Sequence, residues 1–173
     1  LNNNYIMKNI YTNIFSFNNK VLKKTIKALK QGHIAGLPTE TVYGLAGNAY
    51  SIGAVRKIFK LKKRPKKNPL IIHFYDKKNL KKDVKINNHF SKLYDKLCPG
   101  PITFILKKRK KSKIVDLAIS RQNTVAVRFP NHKVVRAILK KTVFPLAMPS
   151  ANISSKLSPV NAFDVYEDFK KKL

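Results

Sequence analysis

The chain alternates between two hydrophobic periods, and that alternation constrains its fold more than any other feature. Residues 18–32 set Val21, Leu22, Ile26 and Leu29 among lysines at helical spacing. A short apolar stretch at 33–37 reads as a strand, and 51–61 returns to a helix with Ile52, Val55, Ile58 and Phe59 on one face. Leu70–Phe74 is a strand, and 87–97 is a helix stopped by Pro99-Gly100-Pro101. Ile102–Leu106 and Thr124–Phe129 are strands, 131–140 a helix, Phe144–Met148 a strand, and a last helix begins near Asn161. Strands alternating with helices predict a layered α/β domain, with no internal repeat and no linker. At 173 residues the chain is sized for one domain with a real core. Periodicity places that domain at 18–173, after an extension at 1–17 whose order the sequence leaves open.

Charge is the next constraint. Lys and Arg number 37 against 8 Asp and Glu, a formal net charge of +29, which predicts affinity for nucleic acid or nucleotide phosphates. Asn and Ile are also plentiful, so an AT-rich genome writing Lys onto any surface accounts for the same count. The six arginines are more informative, because a planar guanidinium fork suits carboxylate and phosphate. No apolar run approaches the ~20 residues of a membrane span, so no membrane partner is expected. Cys98 is the single cysteine, which excludes an internal disulfide and fits a reducing compartment. The histidines at 33, 73, 89 and 132 share no ligand spacing with one another or with Cys98, so no structural metal is expected. The first Met is Met7, so the sequence leaves open a start at Leu1, a start at Met7 or a fragment of a longer chain. Residues 1–39 lack acidic residues but also lack Arg, which argues against a transit peptide.

Residues 36–49 do not read as an ordinary strand. Leu37 leads into Pro38, and Thr39, Glu40, Thr41 and Tyr43 follow, a run suited to presenting polar atoms. Gly44 and Gly47 mark places where the backbone turns or a ligand approaches closely. A Pro/Gly turn with solvated threonines fits the same residues. In Lys62-Lys63-Arg64-Pro65, proline biases Arg64 toward extended geometry, so Lys62 and Arg64 point the same way, as a polyphosphate would require. A solvated basic loop is the alternative. Thr124-Val-Ala-Val-Arg128 alternates strictly, putting Thr124, Ala126 and Arg128 on one side with room for an anion. Ser150 and Asn152 share a side after an apolar strand, at the kind of strand end where ligands collect in α/β sheets.

What is missing narrows the chemistry. There is no P-loop pattern, no Gly-x-Gly-x-x-Gly and no nucleophile elbow. The carboxylates are scattered apart from Asp164, Glu167 and Asp168, so paired general acid–base chemistry is not expected. Cations, hydroxyls and amides work by positioning a substrate and stabilising phosphate charge, with the substrate supplying its own nucleophile.

Five blocks then occur in order: Pro38-Thr-Glu-Thr-Val-Tyr-Gly-Leu45; Lys62-x-Arg64-Pro-x-x-Asn68-Pro-Leu-Ile-x-His73; Pro99-Gly-Pro-x-Thr103; Thr124-Val-Ala-Val-Arg128-x-Pro130; and Pro149-Ser-Ala-Asn152-x-Ser154. Together, from about residue 18 to 165, they resemble the YrdC-like family of L-threonylcarbamoyladenylate synthases. The resemblance implies a twisted, mixed α/β sheet with flanking helices around a large basic cavity. It implies conversion of L-threonine, bicarbonate and ATP, with Mg2+ accompanying the ATP, to threonylcarbamoyl-AMP and pyrophosphate. The product feeds threonylcarbamoyl-adenosine synthesis on tRNA, so tRNA or the transferase complex that uses the product is an implied partner, in the cytoplasm.

Carried over by motif, Thr41 contacts threonine, with Thr39 and Tyr43 shaping that wall. Lys62 and Arg64 hold the ATP phosphates as the catalytic cations, helped by Asn68. His73 and Arg128 sit at the threonine carboxylate. Thr124, Ser150, Asn152 and Ser158 complete the nucleotide side. Met148 stands where the family usually has a small Ala, and contributes backbone while its bulk narrows the pocket. Family members continue past the last helix into strands with Ser-Thr-Val and Arg-Pro-Gly motifs, which this sequence does not contain. The alternative from another class is a non-catalytic double-stranded RNA- or tRNA-binding module of the same fold. A related carbamoyl-transferring domain of a hydrogenase-maturation protein is a further one, disfavoured because its zinc-finger and acylphosphatase companions do not accompany this sequence.

Overall fold

The computed structural model describes residues 13–172. Most of the expected 1–17 extension, and Met7 with it, lies outside the described residues. The elements follow one another as α1 (Asn19–Lys30), β1 (Ala35–Leu37), β2 (Gly44–Asn48), α2 (Ile52–Lys62), β3 (Ile72–His73), α3 (Lys77–Leu80), α4 (Asn88–Leu97), β4 (Thr103–Lys107), β5 (Thr124–Arg128), α5 (Lys133–Lys141), β6 (Leu146–Ala147) and α6 (Ala162–Phe169). A 3-10 turn at Asp116–Ile119 separates β4 from β5.

Side-chain caps fix where the helices start. Asn18 accepts from the Val21 N–H, Ser51 from Ala54, Asp76 from Asn79 and Asn87 from Phe90. Asn161 and Asp164 form a reciprocal capping box that opens α6 where the sequence places it.

The six strands run β1-β2-β6-β3-β5-β4 across a mixed sheet. Only the β3–β5 pair is parallel; the others are antiparallel. Residues directly opposite in a ladder share a face, so the register assigns each side chain to one side of the sheet. One face carries Leu45, Ala147, Ile72, Val125 and Val127, and packs with α2, α4 and the 3-10 turn into the larger core. On the other face Ala46, Leu146 and Met148 pack under α1 and α5, through Leu22, Ile26, Leu29, Val135 and Ile138. That second cover does not extend over β4 and β5. There Thr103 faces Arg128, Ile105 faces Ala126 and Lys107 faces Thr124, and Ile105 is 66 % exposed. The two helices thus leave half of one sheet face open, and the open half carries the strand-end arginine.

Residues 44–48 differ from the expectation of a turn. They form β2, with four of its five residues buried. Gly, Leu, Ala, Gly and Asn carry little intrinsic strand preference, but crowding on both sides explains the choice. A Cβ on Gly47 would lie 3.1 Å from Ile58 Cδ1 and 3.3 Å from Ile34 Cγ2, so the bare backbone lets α2 settle on the sheet. A Cβ on Gly44 would lie 2.4 Å from Met148 Cγ. The strands expected at 70–74 and 144–148 shorten to two residues each, and α3 has no counterpart in the periodicity.

Candidate active site

Arg128 ends β5 on the open half-face and is oriented from two sides. Its Nε donates to Thr103 Oγ1 at 3.1 Å, across the β4–β5 ladder, and its NH1 reaches Thr41 Oγ1 at 3.4 Å. The loop between β1 and β2 folds over to meet it. Thr39 Oγ1 accepts from the backbone N–H of Thr41 and Val42 and donates to the Val42 carbonyl at 2.6 Å, a hydroxyl-closed turn that presents Thr41. The two threonine hydroxyls lie 3.1 Å apart. Glu40 Oε2 accepts the Asn131 N–H at 2.9 Å, which ties the loop to the segment after β5.

His73 pairs with Arg128 in the β3–β5 register and shares its face. The imidazole is buried, and its Nδ1 has no hydrogen-bond partner. Burial first, and the Arg128 charge second, push its pKa from 6.5 down to about 3. His73 is therefore neutral at physiological pH, a polar group beside the arginine rather than a second cation.

A second cluster forms where α2 ends. Lys62 is the last residue of α2 and only 1 % exposed. Its Nζ donates to the carbonyls of Ser150 and Asn152, each at 2.5 Å, and to Asn152 Oδ1 at 3.3 Å. Burial, then repulsion from Arg64, lowers its pKa to about 8, with Asp168 pulling the other way. The extended Lys62–Arg64 geometry expected from Pro65 is not what brings these cations together. Lys63 adopts a left-handed conformation at φ 51° and breaks the helix, while the Arg64 N–H still bonds Phe59 O at 3.0 Å. Arg64 then donates Nε to Asn68 O at 3.1 Å and NH2 to Pro69 O at 2.9 Å.

Tyr43 joins the two clusters. Its carbonyl accepts the Ala151 N–H at 2.7 Å and its N–H bonds Pro159 O at 2.8 Å, while Gly44 bridges Ser150. Ser150 is half-buried and Asn152 buried, with Nδ2 of Asn152 donating to Ile153 O and Lys156 O. Thr124 lies at the opposite end of β5 from Arg128, across from Lys107. The side chains of Asn68 and Ser158 are exposed on their loops. Met148 bonds Ile71 O through its backbone N–H, but its side chain packs over Gly44 inside the second core, so its bulk fills space that the glycine vacates.

Three residues that the sequence reading quoted or passed by, without assigning them, prove structural to the site. Thr103 orients Arg128, and its signal was its register opposite that arginine. Glu40 anchors the threonine loop. Asp168 on α6 accepts Ile153 N–H at 3.1 Å and pairs with Lys156 at 2.8 Å, fastening the loop that Lys62 holds from the other side.

A groove of about 980 Å³ runs along β1 between α1 and α6, lined by apolar Ile34, Leu37, Val134, Ile138 and Val165 with lysines at its margin. Of the expected site residues it touches only Tyr43. There β1 is a sheet edge, paired to β2 alone among the described strands.

The family model Sua5_yciO_yrdC, described as "Telomere recombination", matches residues 27–173, and the chain belongs to that family, in agreement with the five ordered motifs. It is 42 % identical over 147 residues to "Threonylcarbamoyl-AMP synthase" of Pyrococcus abyssi, covering 84 % of this chain and 42 % of that protein. It is 34 % identical over 171 residues to "Putative threonylcarbamoyl-AMP synthase" of Methanocaldococcus jannaschii, covering 96 % and 79 %. The crystal structure of P. abyssi Sua5 complexed with L-threonine superposes with a TM-score of 0.87 at 36 % identity, over 92 % of this chain and 46 % of that one. The chain therefore spans less than half the length of the Pyrococcus relative.

Proposed function

We propose that this site forms threonylcarbamoyl-AMP and pyrophosphate from L-threonine, bicarbonate and ATP, as an L-threonylcarbamoyladenylate synthase supplying tRNA modification in the cytoplasm. The observation that carries the reading is the Arg128 guanidinium on an open sheet face, steadied by Thr103 and capped by the Thr39–Thr41 turn. The relatives' names and the threonine complex of P. abyssi Sua5 support the same reading. Arg128 receives the threonine carboxylate, where a planar fork gives paired charge-assisted bonds. Neutral His73 and Thr41 complete the polar wall.

In the reaction, the threonine amine takes up bicarbonate as a carbamate with loss of water. A carbamate oxygen then bonds the α-phosphorus of ATP as the phosphorus–oxygen bond to pyrophosphate breaks, and pyrophosphate leaves with the electron pair. The substrate supplies the nucleophile, so the chain's residues position and stabilise charge. Arg64 faces the phosphates with its uncommitted donors. Lys62 shapes the Ser150–Asn152 loop, and its weakest contact, to Asn152 Oδ1, is the one a phosphate oxygen replaces. The described residues contain no group of three or more His, Cys, Asp or Glu able to hold a metal. A Mg2+ ion accompanying ATP would be held by the substrate's phosphates and water, where it would offset their charge, and no step is assigned to it.

The test is pyrophosphate release from ATP with threonine and bicarbonate each present or omitted. Release that requires both is expected. Release indifferent to threonine overturns the proposal.

A further inference from the structure

The fold uses only half of the Glu40 carboxylate. Its Oε2 accepts the Asn131 N–H at 2.9 Å, whereas Oε1 is closed off from solvent and has no hydrogen-bond partner. A buried carboxylate oxygen without a donor costs free energy. The sequence holds 37 Lys and Arg, yet Glu40 makes no ion pair among the described residues. Other acids have plain structural work: Asp95, Asp116 and Asp168 each pair with a lysine, and Asp76 and Asp164 cap helices. Glu40 also stands beside the strand-end arginine. The next residue, Thr41, meets Arg128 NH1 through its Oγ1 at 3.4 Å, and Asn131, which Oε2 holds, follows Arg128 closely in the chain.

We propose that Glu40 Oε1 receives the α-amine of threonine and takes the proton that the amine must lose before it attacks bicarbonate. The inference rests on the threonine site argued above. Threonine arrives as a zwitterion, so holding its carboxylate at Arg128 leaves an ammonium on the adjacent carbon. Arg128 repels that ammonium, His73 is neutral, and Thr39 and Thr41 offer only hydroxyls. Glu40 supplies the only carboxylate of the loop that meets the arginine. An ammonium has no lone pair with which to attack. Once one proton passes to Oε1, the nitrogen bonds the bicarbonate carbon and a carbon–oxygen bond breaks. The departing hydroxyl leaves as water with a second proton from nitrogen, and the carbamate keeps the negative charge. Glu40 then returns its proton to solvent. Because Oε1 is enclosed, the Thr39–Thr41 turn must shift to admit the amine. Its 3.4 Å contact with Arg128 is near the limit of a hydrogen bond and gives way to the substrate carboxylate.

Titration calorimetry without ATP or bicarbonate separates the amine from the rest of the ligand. L-threonine is compared with (R)-3-hydroxybutyrate, which keeps the carboxylate and the hydroxyl but lacks the amine. Glu40→Gln retains an acceptor for the Asn131 N–H, so the loop stays tied. It is expected to weaken L-threonine about tenfold or more and to leave (R)-3-hydroxybutyrate unchanged. Asn131→Pro removes the N–H that Oε2 uses without touching the carboxylate, and is expected to weaken both ligands alike. A second readout is the pH profile of pyrophosphate release. The deficit of Glu40→Gln is expected to shrink as pH rises and the amine loses its proton in solution. Equal losses for the two ligands in Glu40→Gln would reduce Glu40 to a tether and overturn the proposal, as would a deficit independent of pH. Unchanged L-threonine affinity in Glu40→Gln, beside a wild type that binds it, overturns this proposal alone. A wild type that does not bind L-threonine overturns the threonine site, and the role of Glu40 with it.

Discussion

Arg128 and His73 sit side by side in the ladder, and each limits what the other can do. The arginine is held by two hydroxyls rather than by a carboxylate, so its charge remains available to an anion. Replacing it with Lys keeps the charge and removes the fork. Arg128→Lys is expected to raise the KM for threonine about tenfold or more, with a smaller effect on kcat, as read by pyrophosphate release; an unchanged KM would remove Arg128 from the threonine site. His73 answers to the same charge. With its pKa pushed from 6.5 to about 3, the folded chain refuses a proton that the unfolded chain accepts anywhere between those values. The unfolded state then binds more protons, so stability is full above pH 6.5 and falls as pH drops below it. The slope approaches about 1.4 kcal/mol per pH unit for this one group. Urea unfolding of wild type and His73→Gln between about pH 6.5 and 5 isolates it, because the carboxylates titrate alike in both. Parallel curves would mean that His73 is protonated in the folded protein.

At the scale of elements, the sequence was most legible where one physical signal acted alone. The Thr124–Arg128 alternation has one apolar face and one open face, and the strand follows it. Asn161 with Asp164 is a local capping signal, and α6 begins there. Legibility failed where distant packing decided the outcome. Nothing local in Gly44–Asn48 announces a strand; what makes it one is α2 and Met148 pressing on either side. Lys62 looked like half of an extended pair, but helix α2 carries it inward to two carbonyls 88 and 90 residues away. The motifs therefore nominated residues for the site while hiding how they are held. The Gly44–Met148 contact gives a direct test. Gly44→Ala places a Cβ against the methionine side chain and is expected to destabilise by about 1–3 kcal/mol through overpacking. Met148→Ala alone leaves a cavity in the second core and costs about 2–5 kcal/mol. The double variant should cost clearly less than the sum, since the lost methionine makes room for the new methyl. Additive losses in chemical denaturation would show that the strand, rather than the contact, sets the need for glycine.

Across the whole molecule, charge is the unbalanced quantity. The formal net charge is +29, with only 8 acidic residues to offset 37 basic ones. One of those acids, Asp83, is buried among hydrogen-bond donors, and Asp95, Asp116 and Asp168 are each paired to one lysine. The paired lysines recover little, because ion pairs at a solvated surface contribute on the order of 0–1 kcal/mol. The remaining cations repel one another over distances comparable to the Debye length, which is about 10 Å at 0.1 M salt. Compaction brings them closer than the unfolded chain does, so self-repulsion acts against the folded state. Screening therefore favours folding in this chain, the reverse of the behaviour expected where surface ion pairs dominate. Raising KCl from about 0.02 to 0.2 M is expected to raise stability by about 1 kcal/mol, or roughly 2–4 °C in Tm for a chain of this size. Thermal melts followed by circular dichroism measure it, and a polyanion such as heparin should give a larger rise at lower concentration by binding the folded state. A Tm that falls with KCl would mean that the few ion pairs outweigh the mutual repulsion of the lysines.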